Sequence, residues 1–160
     1  MKTVHRVRML RRTVKACGAV VVLSMMAPTL VVWAGAPPGR YTTSNGTVTD
    51  TKTKLIWQQG TAPSTMTWAN AKSYCAGIGS TLGSTGWRLP TIKELQTLVD
   101  VSVSSRPPID PIYFPNTPQT NFWSSTPSTA DTSAVWVLTF FDGNEGQAPR
   151  SGAGQVRCVR

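Results

Sequence analysis

The pattern of polar and apolar residues first predicts a β-hairpin. The stretch "GTVTDTKTKLIWQQ" alternates polar and apolar side chains on both sides of a polar turn at residues 50–54. Alternation of this kind is typical of half-buried strands joined by a turn. We therefore predict that residues 47–50 pair with residues 55–58, with Trp57 in the core.

A helix is predicted next, over "TMTWANAKSYCAGIG". Trp68, Ala71 and Cys75 recur at helical spacing and share one face, which we expect to be buried. Thr67 can cap the first turn, and Gly77 and Gly79 are typical of a helix end. This arrangement places Cys75 on the buried side.

The stretch "TGWRLPTIKEL" predicts a turn, a short core segment and a second helix. Thr91 and Glu94 have the spacing of a capping box, in which each side chain satisfies a free backbone amide at the helix start. Glu94 is therefore interpreted as structural and not as a general acid. The structural motif comprises Trp87, Arg88, Leu89, Pro90, Thr91 and Glu94.

Five prolines between positions 100 and 121 predict a long loop, because they remove backbone donors that a helix or central strand needs. We expect the loop to be ordered if its aromatic residues pack, and disordered if they do not. Long loops on a rigid scaffold often carry binding residues. Those that mix acceptors with flat apolar surfaces are Asp110, Tyr113, Phe114, Asn116 and Asn121.

Short strands are predicted for the C-terminal part. "NFWSST" and "SAVWVLTF" are rich in aromatic and β-branched residues, and "FDGNEGQ" is typical of a turn. "GQVRCVR" is predicted as a final strand, with Cys158 facing inward and Arg157 facing outward. Arg150, Arg157 and Arg160 form a candidate basic patch for an acidic polysaccharide, with ordinary solvated strand faces as the alternative.

The first 34 residues have the composition of a secretory signal peptide. Six basic residues precede an uncharged stretch over residues 16–34, and small residues precede the expected cleavage after Ala34. An uncleaved membrane anchor is the alternative, since the stretch is nearly long enough to span a bilayer. We expect a secreted, periplasmic or cell-surface protein, with residues 1–34 as leader, 35–40 as linker and 41–160 as one domain.

The charge distribution argues against a nucleic-acid partner. The formal net charge of +9 includes the six basic residues of the leader, so the expected mature chain has 10 Lys and Arg against 7 Asp and Glu, or +3. Outside the leader the sequence has no basic cluster of the kind that binds phosphate backbones. Once the leader is removed, we expect no stable membrane span.

Cys75 and Cys158 are the two cysteines of the expected mature chain. Two well-separated cysteines in an oxidising compartment most often pair, so we predict a disulfide between the first helix and the last residues. Free thiols, a metal pair or a redox couple are the alternatives. They have little support, because there is no CxxC motif and the single histidine, His5, lies in the leader.

Six segments point to a known family. "TDTKTKLIWQQ", "TWANAKSYC", "GWRLPTIKELQTLVD", "FWSST", "VWVLTFFDG" and "VRCVR" together resemble the bacterial family named after the C-terminal domain of the Legionella collagen-like protein, over residues 41–160. The resemblance implies an α+β C-type lectin-like fold, with two helices packed on short antiparallel strands and a long proline-rich loop. "RLPTIKEL" also resembles the formylglycine-generating, sulfatase-modifying relatives of that fold.

The resemblance implies a non-catalytic binding module for glycans or another extracellular surface, in an adhesion-type role. The redox cysteines or metal of the formylglycine-generating branch are not carried over, because both cysteines are assigned to a bridge. The alternatives are a structural component of a cell-surface complex and, with least support, an enzyme. The ligand-binding candidates are Asp110, Tyr113, Asn116, Asn121, Trp123, Asp142, Asn144, Glu145 and Arg150.

Calcium is the one cofactor that the resemblance raises. Animal C-type lectins bind it with a Glu-Pro-Asn or Gln-Pro-Asp triplet in the long loop and a Trp-Asn-Asp triplet in the next strand. This chain has "NTPQTN" and "FWSST" there. We therefore expect no cofactor, and we keep as an alternative a calcium site built from some of Asp110, Asn116, Asn121, Asp142, Asn144 and Glu145.

Overall fold

The computed structural model describes residues 35–160, which form an α+β domain with two antiparallel three-stranded sheets. The predicted leader lies outside these residues. In chain order the elements are β1 (Tyr41–Ser44), β2 (Thr47–Asp50), β3 (Ile56–Gln58), α1 (Trp68–Gly77), α2 (Gly79–Leu82), α3 (Ile92–Gln96), β4 (Asn121–Pro127), β5 (Ala134–Thr139) and β6 (Glu145–Pro149). Over residues 35–160, none of the helices has the length and apolar character needed to cross a membrane.

The first sheet has the order β1-β2-β3 and contains the predicted hairpin. Val48 of β2 lies opposite Trp57 of β3, and both side chains are buried. The polar and apolar pattern did not predict β1, which pairs with β2 through a two-residue turn. Asn45 and Gly46 take positive φ angles of 46° and 74° there, a region that asparagine and glycine tolerate best.

The second sheet has the order β4-β5-β6, so β5 is its central strand. Val135, Val137 and Leu138 of β5 are buried, which agrees with the apolar composition of this segment. The predicted turn joins β5 to β6 at residues 140–144. In β4, Trp123 is buried, and its indole N–H donates to the carbonyl of Met66 at 2.7 Å.

The final strand predicted over "GQVRCVR" is instead an extended segment that pairs through isolated bridges. Val159 lies opposite Trp57 on one side and Arg88 on the other. Arg88 and Val159 exchange two backbone hydrogen bonds, of 2.9 and 3.0 Å. Residues 154–159 are all buried between these neighbours. The prediction that Arg157 faces solvent is therefore wrong, because both edges of its segment are covered by other parts of the chain.

The first predicted helix is confirmed as α1, with Ala71 and Cys75 buried. Thr67 occupies the N-cap position, but its side chain makes no capping hydrogen bond, so that part of the prediction is wrong. The chain continues past Gly77 into a further short helix, α2. This helix ends at Gly83, whose φ of 70° stops the helix in the left-handed region.

The capping box predicted for the second helix is present at α3. Thr91 Oγ1 accepts from the backbone N–H of Glu94 at 3.2 Å, and Glu94 Oε2 accepts from that of Thr91 at 2.7 Å. Arg88 adds a two-bond ion pair to Glu94, at 2.8 and 2.6 Å, which holds the pKa of this carboxyl below its ordinary value. Trp87 and Leu89 are buried, as predicted. The predicted capping box is therefore confirmed, and the absence of a catalytic role for Glu94 stays a prediction.

Cys75 and Cys158 form the predicted disulfide, with Cα atoms 5.4 Å apart. Both cysteines are fully buried, in a core cluster that also contains Trp87, Leu89 and Val156. The bridge ties α1 to the C-terminal segment. It replaces the alternatives in which both cysteines remain free thiols or hold a metal.

Candidate functional site

The proline-rich loop is held in place by several of its own side chains, which are buried. Ile109 and Phe114 are both buried, and the Phe114 ring meets the Tyr41 ring edge-on, with centroids 5.3 Å apart. Asp110 is also buried, and its carboxylate accepts from the backbone N–H groups of Ala36 at 3.0 Å and Ile112 at 2.9 Å. The loop is therefore the ordered form that was predicted on condition that its aromatic residues pack.

Arg157 lies beneath the loop and supports it from inside. Its guanidinium donates to Thr117 Oγ1 at 2.9 Å and to the carbonyls of Gln59 and Gly60 at 3.3 Å. Its Cζ lies 4.8 Å from the centre of the Phe114 ring. Because the group is fully buried, its pKa is lowered to about 9. The predicted basic patch thus loses its middle member.

The turn between β5 and β6 packs against the beginning of the loop. Gly143 lies so close to Val99 and Pro108 that an added Cβ would come within 2.8 and 3.4 Å of their side chains. The backbone N–H of Asp100 donates to the carbonyl of Pro108 at 2.9 Å and closes the base of the loop. Residues 101–108 and 141–144 therefore form one continuous surface, which we call the loop-turn surface.

The loop-turn surface contains a depression of about 260 Å³. Phe141 is 50% exposed at this place, and the guanidinium carbon of Arg106 lies 3.9 Å from the centre of its ring. The carboxylate of Asp142 accepts from the side-chain and backbone nitrogens of Asn144, at 2.8 and 3.1 Å. The residues that line the depression include Val101, Ser104, Ser105, Arg106, Phe141 and Asp142.

This arrangement can bind a small polar ligand that has one apolar or flat side. The Phe141 ring supplies a surface for stacking, and Val101, which is 92% exposed, adds apolar area. Arg106 supplies N–H donors, and Asp142 supplies a fixed acceptor. A few convergent polar groups beside apolar surface are typical of small-ligand sites.

Comparison with known proteins identifies the family. A model of the Lcl C-terminal domain matches residues 46–160. The chain belongs to the Lcl C-terminal domain family. The resemblance drawn from the six sequence segments is thereby confirmed.

Two further comparisons add little about this Lcl C-terminal domain. No curated protein matches the chain. Among solved structures, it is similar to the crystal structure of botrocetin, at 10% identity and a TM-score of 0.36, over 78% of this chain and 98% of that one. A likeness of this size carries no argument about ligand or function.

The structure brings only part of the predicted site together in this Lcl C-terminal domain. Asp142 and Asn144 lie in the loop-turn surface, and Glu145 follows them in the chain. Asp110 and Trp123 are 4% and 1% exposed, so neither can meet a ligand at the surface. Their inclusion as ligand-binding candidates is therefore corrected. Asp110 instead anchors the loop.

The remaining candidates lie away from the depression. Tyr113 is half-buried, while Asn116 and Asn121 are exposed and do not line it. Arg150 lies over the Trp68 ring, with its Cζ 4.7 Å from the ring centre. These residues therefore do not form one site with Asp142 and Asn144.

Arg106, Phe141 and Val101 were missed in the sequence of the Lcl C-terminal domain. The signal for Phe141 in the pair "FF" was its place at the start of the predicted turn "FDGNEGQ", because turns lie at the surface. Phe140 is buried, so Phe141 is the member that points outward. Nothing in the loop sequence indicated that Arg106 would lie over it.

Metal-binding side chains do not cluster in the described part of this Lcl C-terminal domain. Within residues 35–160, no group of three or more His, Cys, Asp or Glu side chains is placed to hold a metal ion. Asp110 is buried, whereas Asp142 lines the exposed depression, so the two carboxylates do not face the same surface. That the protein works without a cofactor stays a prediction.

Proposed function

We propose that this protein is an exported, non-catalytic binding module that recognises a glycan through the loop-turn surface. Its place in the Lcl C-terminal domain family and its α+β fold support a binding role. The lectin-like character inferred from the sequence is part of this proposal. So is the adhesion-type setting at a cell surface.

One observation carries the proposal: Phe141 is half exposed beside an array of fixed polar groups. Sugars present apolar C–H faces and many hydroxyl groups, so they bind where an aromatic ring adjoins donors and acceptors. The Arg106 guanidinium lies over one face of the ring, and Phe141 as a whole remains 50% exposed. Asp142 is held by Asn144, and its carboxylate oxygens have further lone pairs that can accept hydrogen bonds from hydroxyl groups.

The chemistry of the chain supports a non-catalytic, exported protein. Both cysteines of residues 35–160 are in the disulfide, and disulfides persist in oxidising compartments. The single histidine, His5, lies in the proposed leader. The intact mass of the exported protein tests this part: we expect a chain that starts near Gly35 and shows two thiols only after reduction. A full-length chain with free thiols would contradict it.

Glycan binding is tested on an array of diverse glycans with three proteins. These are the wild type, Phe141→Ala, and the control Ile112→Ala, which removes another exposed apolar side chain outside the depression. We expect a defined class of glycan to bind the wild type and the control, and to bind Phe141→Ala at least tenfold more weakly. Signal that is the same for all three proteins would refute the proposed surface.

A role in the assembly of a cell-surface complex is the second candidate. The observation in its favour is the exposure of large apolar side chains, Val101 at 92% and Ile112 at 63%. Exposed apolar residues of this kind contribute to protein contacts when they cluster. A blank glycan array together with concentration-dependent self-association in sedimentation would favour assembly.

A further inference from the structure

Arg106 is held in place while its charge remains available. Its Cζ lies 3.9 Å from the centre of the Phe141 ring, and its backbone carbonyl accepts from Gln119 Nε2 at 3.4 Å. The loop that carries it is closed by the hydrogen bond between Asp100 and Pro108. Across residues 35–160, no side chain or carbonyl accepts a hydrogen bond from the Arg106 guanidinium, and no carboxylate pairs with it. All its N–H donors are therefore free for a ligand.

Asp142 lines the same depression but does not neutralise Arg106. Its two carboxylate oxygens accept hydrogen bonds from the backbone and side-chain nitrogens of Asn144, which fix the carboxylate within the β5–β6 turn. No ion pair joins Asp142 to Arg106 in the described domain. The depression thus presents a free cation and a fixed acceptor together, with the hydroxyl groups of Ser104 and Ser105 along the same wall.

We propose that the depression binds the carboxylate of an acidic sugar, with Arg106 as the group that recognises it. The inference rests on the proposed glycan recognition and specifies its ligand class. A guanidinium presents a planar fork of N–H groups that matches a carboxylate with two parallel hydrogen bonds. The Phe141 ring below the guanidinium restricts its orientation, so less freedom is lost on binding. Hydroxyl groups of the same sugar donate to Asp142.

The surrounding charges favour a single carboxylate over a densely sulfated polymer. Asp142 lines the depression and Asp100 lies at the base of the loop, whereas Glu145, which follows the turn, is paired with Lys93 at 3.9 Å. Among residues 35–160, Arg106 is the only cation that lines this depression. A polymer with many negative groups would meet these carboxylates as well as the one guanidinium, and like charges repel it. A sugar with one carboxylate and several hydroxyl groups can pair its carboxylate with Arg106 and donate its hydroxyl groups to Asp142.

The test compares two monosaccharide ligands, a methyl galacturonoside that carries one free carboxylate and the methyl ester of the same sugar, which has no charge. Affinities for the exported protein are measured by calorimetry for the wild type and for the variants Arg106→Gln, Arg106→Lys, Phe141→Ala and Lys52→Gln. The last variant is a control that removes an exposed cation from the turn between β2 and β3. We expect the acid to bind the wild type and the control at least tenfold more tightly than the ester. Arg106→Gln should remove that preference, and Arg106→Lys should restore only part of it, because an ammonium lacks the fork.

Each other outcome separates this inference from the proposed function. If acid and ester bind equally tightly and Phe141→Ala weakens both, recognition of the carboxylate is overturned, while glycan recognition stands. Equally tight, Arg106-dependent binding of dextran sulfate would overturn the preference for carboxylate. If neither the acid nor the ester binds, the inference is overturned. The proposed function would still stand if other glycans bind in a way that depends on Phe141. Failure of every glycan on the array would overturn both.

Discussion

Loss of the disulfide should remove a large share of the stability of this domain. The perturbation is the double variant Cys75→Ala/Cys158→Ala, which opens a loop of 83 residues in sequence separation. In the chain-entropy model, closing a loop of this length restricts the unfolded chain by about 4.5 kcal/mol at 25 °C. Domains of this size are stable by roughly 5–15 kcal/mol in total. The bridge therefore accounts for about 30% or more of the free energy of unfolding.

The assay is urea unfolding followed by tryptophan fluorescence, because Trp57, Trp87 and Trp123 are buried. With a urea dependence of about 1–3 kcal/mol per molar, the midpoint should fall by about 1.5–4.5 M. The wild type measured with reductant is the control, since it opens the loop without removing the two sulfur atoms from the core. Agreement of the two measurements supports the loop argument. A loss below about 1 kcal/mol in both would refute it.

Three further variants test particular contacts by urea unfolding. The variant Arg157→Met should become less stable relative to the wild type as the pH rises above 9. Burial lowers the pKa of Arg157 to about 9 in the folded state, so above this pH the unfolded wild type binds more protons than the folded one. A stability difference that does not change with pH would contradict this. Glu94→Gln should cost about 1 kcal/mol at pH 7. The difference should begin to shrink near pH 4.5 and be lost as the pH falls through the lower folded-state pKa, because the hydrogen bond from Arg88 lowers the pKa of Glu94 in the folded state only. A difference that persists at lower pH would refute the ion pair. Gly154→Ala should cost about 1–3 kcal/mol, since an added Cβ would lie 2.8 Å from the Trp123 ring; an unchanged midpoint would show that the ring can move.

Local signals in the sequence were sufficient for much of the fold. The hairpin of β2 and β3 follows from alternation, and the α3 capping box follows from the spacing of Thr91 and Glu94, because both depend on neighbouring residues only. The disulfide could be predicted because only two cysteines follow the leader. These features needed no knowledge of distant contacts.

Features set by distant contacts could not be predicted in this way. Arg157 alternates with buried residues, which indicates an exposed position, yet its segment lies between β3 and Arg88. Only the tertiary fold places those neighbours on both sides of it. The burial of Asp110 likewise depends on Ala36, which is 74 residues away in the chain.

The candidate site was predicted in part for the same reason. Asp142 and Asn144 belong to a turn that composition reveals. The Arg106 side chain reaches Phe141 because Gly143 allows the turn to pack on Val99 and Pro108. No local sequence pattern encodes this contact. The sequence therefore indicated the loop and the turn separately, but not that they pack together into one surface.

The central claim is that the loop-turn surface binds the ligand. The most direct measurement is a titration of isotope-labelled protein with an array-positive glycan, followed by backbone amide chemical shifts in solution. The account predicts shifts concentrated in residues 101–108 and 141–144, with Phe141 and Arg106 among the largest. Shifts concentrated instead around Trp68 and Arg150, on another part of the domain, would contradict it.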